Sequence, residues 1–163
     1  MLQATDLRLT FNRGTPIENP ALRGLSLSIA DGEFVTVIGT NGAGKSTFLN
    51  AISGAVRVDS GSIKINGQDV TRLKTHQRAK QVARVFQDPM AGTCEALTIE
   101  ENMALAYKRG DMRGLMGALN HKNRELFREK LSILKLGLEN RLTDRMGLLS
   151  GGQRQAVSLL MAS

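Results

Sequence analysis

The nine residues Gly39-Thr40-Asn41-Gly42-Ala43-Gly44-Lys45-Ser46-Thr47 constrain this chain more than any other stretch. Gly39, Gly44, Lys45 and Ser46 have the spacing of a P-loop, in which successive backbone N–H groups wrap the oxygens of a phosphate. Side chains would obstruct that approach, hence the glycines. Lys45 supplies a point positive charge for β- and γ-phosphates, and the Ser46 hydroxyl can coordinate the Mg²⁺ that bridges them. Such a loop needs a strand before it and a helix after it. Phe34-Val35-Thr36-Val37-Ile38 is a short apolar, β-branched run of the kind a doubly covered parallel strand shows. Lys45 to Ser53 reads as a helix ended by Gly54, with its positive N-terminal end toward the phosphates.

Much later the chain reads Leu149-Ser150-Gly151-Gly152-Gln153. Ser150, Gly151 and Gly152 make a second hydroxyl-plus-amide anion site at the start of a helix predicted over Gln153 to Ala162. A P-loop followed by Leu-Ser-Gly-Gly-Gln closely resembles the ATP-binding-cassette, or ABC, ATPases, and the resemblance covers essentially all 163 residues but only the front part of a cassette. It implies an α/β fold: a RecA-like P-loop NTPase core with an antiparallel β subdomain and a helical subdomain, the C-terminal strands of the core missing. It also implies ATP and Mg²⁺ as cofactors. Gly39, Asn41, Gly42, Gly44, Lys45, Ser46 and Thr47 would hold the nucleotide of this chain. Ser150, Gly151, Gly152 and Gln153 would complete the ATP site of an opposite subunit, two cassettes closing head to tail.

Two further positions match the family. Arg84-Val85-Phe86-Gln87-Asp88 looks like an apolar strand ending at the Q-loop residue, which places Gln87 beside Mg²⁺ and the attacking water. Ser46 and Gln87 are therefore the metal candidates, and Lys45 and Gln87 the catalytic ones. Phe11 falls where the family has an aromatic stacked on adenine, a task that needs only a flat π-face; a core position in the first strand fits Phe11 equally well. The family's Walker B Asp-Glu, D-loop aspartate and switch histidine come after the signature and have no counterpart here. His76 and His121 both precede it. The 163 residues alone are thus expected to bind ATP weakly and hydrolyse it negligibly.

Composition narrows the partners. A hydrophobic share of 41% with 23% charged residues is that of an ordinary folded domain. The net charge of +7 could suggest nucleic acid, but the cations are interleaved with acids, as in Arg124-Glu125-Leu126-Phe127-Arg128-Glu129-Lys130, and one Tyr with no Trp offers no ladder for base stacking. Nucleic acid is not expected. Cys94 stands alone, which fits a reducing cytosol. No run approaches the ~18 apolar residues of a spanning helix.

Along the chain, Leu7–Phe11 and Leu25–Ile29 read as strands, Gly14–Pro20 as a loop, and Ser62–Gln68 as a hairpin turning at Asn66-Gly67. Thr98-Ile99-Glu100-Glu101 is a capping box, and Ile99, Met103, Ala106 and Tyr107 can share one face of the helix it opens. Residues 109 to 121, with Gly110, Gly114, Gly117, Met112 and Met116, read as a loose connection. Asn123–Leu136 is a predicted helix ending at Gly137, with Leu126, Leu131, Ile133 and Leu134 as core candidates. The whole is taken as one partial ABC ATPase domain. Within it, 1–88 holds the antiparallel subdomain and the P-loop core through the Q-loop, 89–149 the helical subdomain, and 150–163 the signature loop and its helix.

The resemblance implies the ATP-binding subunit of a membrane transporter, cytoplasmic and peripheral on the inner face of the membrane. Its partners would be transmembrane permease subunits, a second ABC ATPase subunit and, for an import system, a solute-binding protein. Thr98-Ile99-Glu100-Glu101-Asn102 looks more like the importers than the exporters. Two alternatives stay open: a non-transport ABC protein acting on nucleic acid or ribosomes, and a short non-hydrolysing regulator that pairs with a complete cassette.

Overall fold

The structure is a computed structural model that describes residues 1–111, 117 and 119–163. It divides into two compact units, Met1–Val82 and Ala83–Ser163.

The first unit is built on four antiparallel strands: β1 (Leu2–Phe11), β2 (Asn19–Ile29), β3 (Ser60–Ile65) and β4 (Gln68–Asp69), in the order β2-β1-β3-β4. Period-2 alternation turns Leu9 of β1, Leu22 of β2 and Ile63 and Ile65 of β3 into a common core. The alternation breaks between Ala4 and Leu7, which are both buried, because β1 bulges there. Asp6 takes φ +44° at the bulge, and Gly61 of β3 passes so close that a Cβ on it would lie 2.4 Å from the Asp6 carbonyl oxygen. The expected hairpin forms at Asn66-Gly67, with φ +49° and +80°.

Helix α1 (Lys45–Ser53) lays Phe48 and Ala51 into the same core and ends at Gly54, which is left-handed at φ +77°. Its last carbonyls are taken by Arg78, at the end of the short helix α2 (Thr75–Arg78). The buried Arg78 guanidinium donates to Ala51 O and Ile52 O, both at 2.7 Å, and to Leu73 O and Thr71 O, both at 3.0 Å. Burial pulls its pKa below the usual arginine value, with the Asp69 charge opposing.

Two expected strands do not form as drawn from sequence. Phe34–Ile38 and Arg84–Gln87 join no ladder among the described residues. A buried parallel strand is held by neighbours on its edges and by cover on both faces. The strands described here pair only with one another, so Phe34 and Ile38 remain 93% and 87% exposed.

In the second unit, α3 (Ile99–Tyr107), α4 (His121–Ser132) and α5 (Gly151–Ala162) enclose a core of Ile99, Met103, Phe127, Leu131, Leu138, Met146 and Val157. The capping box opens α3 as expected: Thr98 Oγ1 accepts from Glu101 N and Glu101 Oε2 from Thr98 N. The buried face differs from the prediction, running through Ile99, Glu100, Asn102, Met103 and Ala104. Ala106 is half-buried, and Tyr107 is exposed beside Phe127 in an edge-to-face contact at 6.1 Å. The buried Glu100 accepts a two-pronged bond from Arg124, which holds the Arg124 pKa above its usual value. Helix α4 starts earlier than expected, capped by Asn120, and stops at Ser132, short of Gly137. Phe127 is its main core residue, while Ile133 faces solvent. The reading of 109 to 121 as a loose connection rests partly on Met112, Gly114 and Met116, which lie outside the described residues.

Candidate functional site

Gly39 to Thr47 lie together in the first unit, and the loop's conformation explains its composition. Gly42 and Gly44 have φ +85° and +86°, where a Cβ is strained. At Gly44 a Cβ would also lie 2.5 Å from the Ala21 carbonyl oxygen, and at Gly39 it would lie 3.2 Å from the Ala43 Cβ. The loop turns with Ala43 N donating to Thr40 O, after which Phe48 N donates to Gly44 O as the first helical bond. The amides of Lys45, Ser46 and Thr47 therefore precede the hydrogen-bonded ladder of α1. Gly44 offers them no side-chain cap, and the first turn holds no acidic residue. Lys45 folds back over the loop, its Nζ donating to Gly39 O at 2.7 Å and Thr40 O at 2.8 Å. Unbonded amides, a helix's positive end and the Lys45 ammonium converge on one short loop. That donor set suits a polyphosphate, and Ser46, exposed at the helix start, can reach a bound divalent ion.

Ser150, Gly151, Gly152 and Gln153 lie in the second unit at the start of α5. Ser150 is its N-cap: Oγ accepts from Gln153 N at 3.3 Å, and Gln153 Oε1 accepts from Ser150 N at 3.1 Å. Gly151 and Gly152 are exposed, lack positive φ, and would meet nothing within 4 Å if each carried a Cβ. Neither the fold of the chain nor helix propensity accounts for two glycines there, each less favourable than Ala by about 1 kcal/mol.

Gln87 is exposed in the second unit, ahead of a 3-10 turn at Pro89–Gly92 that Asp88 caps by accepting from Met90 N. Nearby, Arg84 stacks on the Phe86 ring at 4.6 Å. Phe11 ends β1 opposite Asn19 and is 38% exposed, so it stands outside the core that was the alternative for it. Among the described residues no cluster of His, Cys, Asp and Glu could hold a metal ion, so any metal would depend on hydroxyl, amide and ligand oxygens.

Sequence reasoning did not single out Arg78, Glu95 or Arg154, and it quoted Asn102 without a role. Asn102 is buried and clamps Cys94 in both directions, Oδ1 accepting from Cys94 N at 2.8 Å and Nδ2 donating to Cys94 O at 3.0 Å. Arg154 directly follows the signature string, which was the available signal; its role depends on partners distant in sequence.

Comparison with known proteins bears on the chain as a whole. The ABC transporter family profile matches residues 22–163. A tyrosine transport ATP-binding protein of Clostridioides difficile (strain R20291) is 42% identical over 163 residues; the alignment covers all of this chain and 64% of the relative. A methionine import ATP-binding protein of Rhizobium johnstonii is 34% identical, over 99% of this chain and 41% of its own. Among solved structures, an ATP-binding cassette captured as a dimer in a post-hydrolysis state with ADP and phosphate superposes with a TM-score of 0.80. It is 29% identical, and the match covers 99% of this chain and 68% of that one. The chain thus spans under two thirds of the length of these curated relatives. No described helix is long and apolar enough to cross a membrane.

Proposed function

The chain belongs to the ABC transporter family, and from that premise we propose that it is the ATP-binding part of a membrane transporter, coupling ATP closure and hydrolysis to solute movement through a partner permease. The observation that carries this reading is the loop Gly39–Thr47, where uncapped first-turn amides of α1 and the Lys45 ammonium converge. A bound Mg²⁺ would supply there the charge neutralisation that phosphoryl transfer requires. In this chain the backbone of Gly39 to Lys45 binds and orients the phosphates, Lys45 exchanges two carbonyl partners for phosphate oxygens, and Ser46 holds the ion. Phe11 stacks on the adenine ring. Gln87 would hold the metal and orient water beside it, and Ser150 with the Gly151 and Gly152 amides would contact the γ-phosphate held by a second cassette. The glycines at 151 and 152, unexplained within one chain, support that pairing.

The chain works at the inner face of the membrane. Import is the direction favoured, on Thr98–Asn102 and on the methionine import named for one relative; a solute-binding protein would then complete the system. ATP-dependent association, followed by sedimentation, tests the pairing. Gly152→Asp should abolish association while leaving ATP affinity within about twofold, whereas Lys45→Ala should abolish association and weaken ATP binding at least about tenfold. Equal association of wild type and Gly152→Asp would refute the role assigned to the signature.

A further inference from the structure

Within the second unit, the segment after Gln87 is fastened to the segment that leads into the signature. Gly147 N donates to Glu95 O at 3.1 Å, Met146 N to Leu97 O at 2.9 Å, Ile99 N to Asp144 O at 3.0 Å and Glu100 N to Leu142 O at 3.0 Å, with an antiparallel bridge between Thr98 and Arg145. Residues 95–100 and 142–147 thus form a short antiparallel zipper. Asn102 fixes its beginning through Cys94. Helix α5 is anchored farther along by Val157 in the core and by Arg109, which donates to Met161 O at 2.9 Å and to Ala162 O at 3.2 Å, while its first turn follows directly on the turn Met146–Leu148.

Arg154 ties that first turn to the zipper. It lies one residue beyond Gln153 and is buried; its Nη1 donates to Glu95 Oε1 at 2.5 Å and its Nη2 to Gly147 O at 3.3 Å. From the first turn of α5, one guanidinium therefore reaches both the segment that enters the signature and the segment that follows Gln87. Its Nε is buried with no hydrogen-bond partner among the described residues. A guanidinium whose two Nη atoms reach a carboxylate and a carbonyl fixes direction, which an apolar side chain of similar size would not.

We propose that Glu95 and Arg154 are positioning residues: their ion pair sets the stance of the first turn of α5, so that movement of Cys94–Thr98 is transmitted to Ser150–Gln153. The inference rests on the reading of Ser150–Gln153 as a phosphate-contacting site.

The test is amide hydrogen exchange and nuclear magnetic resonance on the full chain without nucleotide, comparing wild type with Glu95→Ala, Arg154→Met and the charge-swapped double variant E95R/R154E. Either single variant should speed exchange at Met146 and Gly147 by about tenfold, the size expected for losing one charge-assisted bond. The Gly151 and Gly152 signals should move as well, while Phe127 and Leu131 of α4 stay unchanged; the swap should bring the Gly151 and Gly152 signals back toward wild type. Arg154→Met keeps the site filled and so remains informative if Glu95→Ala does not fold. Unmoved glycine signals in Arg154→Met would overturn the proposal. So would a uniform rise in exchange, or unfolding, across the second unit, since the pair would then be merely structural. No nucleotide enters this readout, so failure of ATP binding would remove the functional reading alone, and failure here would leave the phosphate loop untouched.

Discussion

Gly44 shows how much a single position can carry. Its left-handed φ and its 2.5 Å approach to the Ala21 carbonyl both demand glycine, whereas Gly42 has the left-handed φ and open space around it. Gly42→Ala should therefore cost only the backbone strain, about 1–2 kcal/mol, and Gly44→Ala at least about 3 kcal/mol once the clash forces the loop to move. Urea unfolding of both variants checks the order; equal losses would mean that the contact is not sensed. Motif spacing made these residues legible because a phosphate loop is written in consecutive positions. Arg78 was not legible, since nothing local announces that carbonyls at 51, 52, 71 and 73 converge on one guanidinium. Asn102 and Arg154 were opaque for the same reason.

Elements whose determinants are local were readable. Gly54 stops α1, Asn66-Gly67 turns the hairpin, and the reciprocal bonds of Thr98 and Glu101 start α3. Thr98→Ala should lower stability of the second unit by about 1 kcal/mol, seen as a shifted urea midpoint. Hydrogen bonds from the Thr98 N–H and hydroxyl hold the Glu101 carboxyl below its usual pKa. The folded state thus favours the ionised form. The stabilisation is complete above the glutamate pKa of the unfolded chain and is lost as pH falls through the lower folded value. Glu101→Gln keeps the acceptor oxygen but cannot titrate, so its acid-unfolding profile should be flatter than wild type. Identical profiles would show that the box does not set acid sensitivity. The runs at 34–38 and 84–87 were misread as formed strands because periodicity records which residues suit a covered strand; whether a ladder forms depends on neighbours elsewhere. The helix faces were half-legible: Ile99 and Met103 fell inside as predicted, but Tyr107 and Ile133 did not.

For the molecule as a whole, the family resemblance accounts for what no single element showed, and 99% of the chain superposes on a solved cassette. One consequence concerns solution behaviour. Phe34 and Ile38 stand open on an unladdered, extended run, a surface that attracts other chains. The full chain should bind a hydrophobic dye and self-associate with rising concentration, and Ile38→Lys should reduce both; a wild-type chain that stays monomeric and dye-silent would contradict this. The central claim, that Gly39–Thr47 is a nucleotide triphosphate site, is tested most directly by titrating Mg-ATP into wild type and Lys45→Ala and following the heat. The account predicts saturable one-to-one binding to wild type, weakened at least about tenfold in the variant, as expected for losing a charged phosphate contact. Binding of equal strength in both, or none in a folded wild type, would contradict it.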